Sequence, residues 1–116
     1  MKKSALPGVP MPRKDRPNVL PLEGEIDLHV SPNVVASLNG MIEKKPNQLV
    51  VDLSGVTYID SAGLAALIEG MQKVEAYGGK FALAGLQETV RSIFEISRLD
   101  QVFRIFPDAD AALAAA

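Results

Sequence analysis

An α/β domain is the fold class this sequence predicts, and three observations predict it. Short apolar runs of strand character alternate with segments of helical period, and the connections between them are short. One run, Leu49-Val50-Val51-Asp52-Leu53, is nearly continuous in apolar residues, as in a strand covered on both faces. Parallel strands need crossover connections, so this alternation implies successive parallel strands joined by right-handed crossovers.

Residues 1–18 hold four of the eight prolines and no periodicity. They read as an extended or partly disordered arm that adds little to a core. Val19 to Ile26 is strand-like, with Pro21 acceptable only at an edge or a bulge, where its missing N–H is harmless. Ser31-Pro32 looks like an N-cap followed by a first-turn proline, and Val34, Val35, Leu38, Met41 and Ile42 continue at helical spacing up to Pro46. The central strand over Leu49–Leu53 is bounded by Pro46-Asn47 and Ser54-Gly55, and Val56 to Ile59 follows. After Asp60-Ser61, Leu64, Leu67, Ile68, Met71 and Val74 mark the best-defined helix, closed by Gly78-Gly79. Lys80 to Leu86 predicts a strand, Glu88 to about Ser97 a helix, Val102 to Phe106 a last strand, and Ala111 to Ala116 a short terminal helix.

Composition excludes most catalytic equipment. There is no cysteine for thiolate chemistry and a single histidine, His29, which reads as a surface residue. No stretch of about 18 uncharged apolar residues is present to cross a bilayer, and prolines at 7, 10 and 12 interrupt any signal-peptide core, so a soluble, cytoplasmic protein is expected. Lys2, Lys3, Arg13, Lys14 and Arg16 against Asp15 leave the first 17 residues at +4, and the chain total of −2 leaves −6 for the rest. A domain of that sign cannot neutralise phosphates, so the expected partner is a protein and not nucleic acid.

The segment from Asp52 to Leu64 carries a serine from a strand end to the first turn of a helix. Backbone N–H groups there lack intrahelical acceptors, and the helix dipole is positive, so the position suits an anion such as phosphate. Asp60 can hold the Ser61 hydroxyl, Gly63 keeps the backbone uncrowded and Leu64 anchors the turn. The plainer alternative is that Asp60 or Ser61 only caps the helix. Asp52 reads as serving a strand-end hydrogen bond. A hydrolase elbow is excluded because Gly-x-Ser-x-Gly is absent and only His29 could act as base. No Gly-rich phosphate loop with lysine is present either.

Three motifs together resemble the STAS domain of bacterial anti-sigma factor antagonists, from about Val19 onward. They are Gly24-Glu25-Ile26-Asp27; Val50-Val51-Asp52-Leu53-Ser54 with Ile59-Asp60-Ser61-Ala62-Gly63-Leu64; and Gly79-Lys80 leading to Gly85 and Val90-Arg91-Ser92-Ile93-Phe94. The resemblance implies a single STAS domain over 19–116, a mixed sheet of about four to five strands and about four helices. It implies no enzyme activity and no cofactor. It makes Ser61 a phosphoacceptor for an anti-sigma factor serine kinase with a GHKL-type ATPase fold. The unmodified form would capture that kinase and free a sigma factor, and a metal-dependent serine phosphatase would restore it. Ile26, Asp27, Asp60, Ala62, Gly63 and Leu64 would frame the contact, with Ile59 beside them. The alternative keeps the fold in a stressosome, lipid-transport or other signalling complex. Ala62 replaces a second serine found in sporulation antagonists. The family's usual first strand is expected to be short, displaced or absent in the proline-rich arm.

Overall fold

The computed structural model describes residues 6–115. Its elements are β1 (Val19–Ile26), α1 (Ser31–Ile42), β2 (Gln48–Ile59), α2 (Ser61–Ala76), β3 (Lys80–Ala84), α3 (Glu88–Ile96), a 3-10 turn (Leu99–Gln101), β4 (Arg104–Phe106) and α4 (Ala109–Ala114). Ala116, the end of the expected terminal helix, lies outside the described residues. The four strands stand in the order β1-β2-β3-β4. Pairing between them is parallel throughout, where a mixed sheet was expected. Among the described residues the antiparallel contribution is the isolated Leu6–Val9 bridge, and no strand precedes β1.

Sequential strand order with crossovers of one hand places α1, α2 and α3 on the same face of the sheet. Their buried side chains form one core with that face: Val34 and Leu38 from α1, Leu67, Met71 and Val74 from α2, Val90 and Phe94 from α3, against Leu49, Val51, Leu53 and Leu83. The opposite face carries smaller residues, Val19, Val50, Ala82 and Ala84, which Ala109 and Ala112 of α4 approach closely. Apolar residues of β2 therefore alternate between two cores, which is why its sequence shows no polar alternation.

Pro21 lies on the edge strand, beside a register shift between Pro21 and Glu23. β2 runs unbroken through Ser54-Gly55 and carries the extra residue of that shift, since Pro21 to Glu23 is two steps along β1 and Asp52 to Gly55 is three along β2. The Asp52 carboxylate accepts the Ser54 N–H at 3.0 Å within this stretch.

The segment ahead of β1 contributes more than its composition suggests. Val9 is only 7% exposed and belongs to the main core. The Gly8 carbonyl accepts the Glu23 N–H at 2.9 Å, the Pro7 carbonyl accepts the Asn33 amide at 3.1 Å, and Arg16 pairs with Asp110 of α4. Expected to add little to the core, residues 6–18 instead strap the β1 edge to helices on both faces.

Candidate functional site

Asp60 leaves β2 in extended conformation (φ −104°, ψ −173°) and becomes the N-cap of α2, its Oδ1 accepting the Gly63 N–H at 3.0 Å. The helix can start so abruptly because Gly63 has no side chain. A Cβ there would lie 2.6 Å from Ile59 Cγ1 and 2.7 Å from the Ile26 carbonyl oxygen. That close approach seats the first turn of α2 directly on the ends of β1 and β2. Ser61 is then the first residue of the helix and is exposed.

The β1–α1 loop closes one side of this turn. The Asp60 N–H donates to the Ile26 carbonyl at 3.2 Å, and the second Asp60 oxygen, Oδ2, accepts the Leu28 N–H at 3.1 Å. Asp27 is half-buried, and its Oδ1 accepts the His29 and Val30 N–H groups at 3.0 and 3.1 Å, which fixes the loop from within. Ser31, expected as the N-cap, is instead the first residue of α1; Val30 holds the cap position without a side-chain cap bond, and the Ser31 hydroxyl donates to the Leu28 carbonyl at 3.4 Å.

The structure thus brings Asp60, Ser61, Ala62, Gly63 and Leu64 together with the Asp27 loop. Ala62 is half-buried, and Leu64 is half-buried against the main core. Ile26 requires correction. Expected on the contact surface, it is 0% exposed, because the close seating of Gly63 places its side chain beneath the turn. Gly63 is buried too, so it shapes the surface without forming it. Leu28, 69% exposed in the loop, and Tyr58, 47% exposed near the end of β2, are large apolar side chains that the sequence reading did not select. The signal for Leu28 was present: a lone leucine between Asp27 and His29, outside any helical or strand period.

Electrostatically, α2 has no acidic residue within its first turn. The dipole there is offset only by the Asp60 cap. At the opposite end of the strands, an apolar groove between residues 9–20 and α1 includes Val9, Pro17, Leu20, Met41 and Pro46, and none of the site residues.

The STAS domain family model matches residues 9–112. The chain belongs to the STAS family. The match begins at Val9, ahead of β1, in agreement with the burial of that residue. Among relatives of this STAS protein, the anti-sigma-F factor antagonist RsfB of Mycobacterium tuberculosis is 30% identical over 95 residues, 82% of this chain and 77% of the relative. The crystal structure of an anti-sigma factor antagonist from Mycobacterium paratuberculosis is 30% identical, with a TM-score of 0.76 over 84% of this chain and 82% of that one. The Bacillus cell fate determinant SpoIIAA, solved in its phosphorylated form, shares the fold at 22% identity, with a TM-score of 0.65 over 84% of this chain and 87% of that one.

Proposed function

We propose that this STAS domain is an anti-sigma factor antagonist switched by phosphorylation of Ser61, and that it performs no catalysis of its own. One observation carries the reading: Ser61 is an exposed hydroxyl at the first position of a helix whose initial turn holds no acidic residue. A phosphate of about −1.5 to −2 charges is favoured at such an end by the dipole and the free N–H groups, so the fold survives modification. At a partner surface shaped around a neutral hydroxyl, the same group finds neither a cation nor solvent. The unmodified protein captures an anti-sigma factor serine kinase of GHKL type in the cytoplasm and releases a sigma factor. A serine phosphatase resets the switch. The names of its relatives support the antagonist role, and the existence of a phosphorylated structure with the same fold supports the switch.

The test compares wild type, Ser61→Ala, Ser61→Asp and the phosphoserine protein by circular dichroism and by affinity for the anti-sigma factor. All four should fold. Wild type and Ser61→Ala should bind alike, and the phosphoprotein should bind about a hundredfold more weakly, a loss of about 3 kcal/mol. Affinity of the phosphoprotein within about threefold of wild type would sink the assignment.

A further inference from the structure

We infer that Asp60 transmits the modification state of Ser61 to the β1–α1 loop, so that a phosphate is felt at Leu28 as well as at the serine. This inference rests on the proposal that Ser61 is the modified residue, and it adds a positioning role for its neighbour.

The two oxygens of one carboxylate are divided between two elements: Oδ1 accepts the Gly63 N–H within α2, and Oδ2 accepts the Leu28 N–H across from it. Among the described residues no other side-chain hydrogen bond joins the loop to the turn. Asp27 holds His29 and Val30 from inside the loop and leaves the Leu28 amide to Asp60. A phosphate on Ser61 is a dianion one residue from this carboxylate, and it competes for the same first-turn donors. Asp60 then faces like charge on the side where it now finds N–H groups. The bond to Leu28 lies on an exposed loop, beyond the last backbone bond of the β1–β2 pair from the Asp60 N–H to the Ile26 carbonyl, and it is the one that yields. What it releases is Leu28, a large apolar residue 69% exposed on the loop held by the residue next to the serine.

Amide hydrogen exchange on the full chain tests this without any partner, using phosphoserine installed at 61 during translation. The Leu28 amide should exchange about tenfold faster in the phosphoprotein than in the unmodified protein, as expected for loss of a charge-assisted hydrogen bond. His29, Val30 and the core amide of Val51 should stay within about twofold. Asp60→Asn supplies the discriminating readout. Asparagine caps helices as well as aspartate does, but an NH2 group replaces one of the two carboxylate oxygens, so with its oxygen on the Gly63 N–H it presents a donor and not an acceptor to the Leu28 N–H. In Asp60→Asn the Leu28 amide should already be fast, and phosphorylation should accelerate it no further. Unchanged Leu28 exchange on phosphorylation, equal acceleration in both backgrounds, or a uniform rise across all amides would each overturn the inference. None of those results touches the binding switch at Ser61, which affinity measures separately.

Discussion

The β2–α2 and β3–α3 turns lie next to each other at the same edge of the sheet, and both carry a parallel strand into a helix. Their chemistry differs. At α2 the cap is a carboxylate bonded to the Gly63 N–H, and the first turn contains no acid. At α3 the N-cap is Gln87, whose amide turns away and donates to the Ser54 carbonyl at 2.7 Å, while Glu88 supplies negative charge in the first turn. Each turn also offers a hydroxyl. Thr89, itself exposed, is the second residue of α3 and donates its hydroxyl back to the Thr57 carbonyl at 3.4 Å, whereas Ser61 is exposed at the first position of α2. Topology provides two equivalent positions for an anion, and side-chain chemistry leaves only one of them open to phosphate.

The glycines give the largest expected difference between the turns. In Gly63→Ala the new methyl meets a backbone oxygen and a buried isoleucine inside 3 Å, and neither can yield without moving a strand end. A loss of about 3 kcal/mol is expected from urea unfolding. Gly85, before α3, has φ +74°, and a Cβ there would lie 3.0 Å from the Ser54 Cβ and 3.2 Å from the Asp52 Oδ1, a tighter fit than usual but looser than at Gly63. Gly85→Ala therefore costs the left-handed backbone together with a milder crowding against Ser54 and Asp52, about 1–2 kcal/mol in all. If Gly85→Ala proved the more damaging, the close seating of α2 would not be what distinguishes its turn.

Capping should separate the turns by a smaller amount. Asp60→Ala removes bonds to Gly63 and Leu28 and should cost about 1–2 kcal/mol. Gln87→Ala removes no cap bond, and its exposed amide should be worth within about 0.5 kcal/mol. Thermal unfolding of the two variants compares them directly, and equal losses would break the contrast.

Much of this was legible in the sequence, and the remainder was not for identifiable reasons. The β1 and α2 limits follow from strong patterning and clear punctuation at Asp27, Asp60 and Gly78. The Asp60-Ser61-Ala62-Gly63-Leu64 turn is local, so its residues fall together as the motif implies. The last strand is shorter than expected, because Leu99–Gln101 forms a 3-10 turn and Val102 lies outside the ladder. α4 begins at Ala109 because Asp108 caps it, accepting the Ala111 N–H at 2.8 Å, a signal hidden behind Pro107. Val9 sits alone among prolines, so no period could report its burial. Ile26 was misplaced because its cover comes from α2, far along the chain.

The smallest effect is electrostatic and should have opposite signs at the two turns. Glu88→Gln removes the first-turn acid of α3 and should cost about 0.3–1 kcal/mol. Ser61→Asp adds an acid at the first position of α2, where the dipole favours it and the neighbouring Asp60 opposes it. Because Asp60 is occupied by two N–H donors, its charge is partly spread into those bonds, and the dipole should win by a few tenths of a kcal/mol. Both effects act on exposed charge, so both should shrink toward zero in 1 M salt, where the screening length is about 3 Å. Urea midpoints for the two variants at low and high salt are the measurement. A Ser61→Asp protein destabilised by more than about 1 kcal/mol at low salt would mean that repulsion from Asp60 outweighs the dipole. In that case the α2 turn would be no better a host for negative charge than the α3 turn, and the comparison that singles out Ser61 would fail.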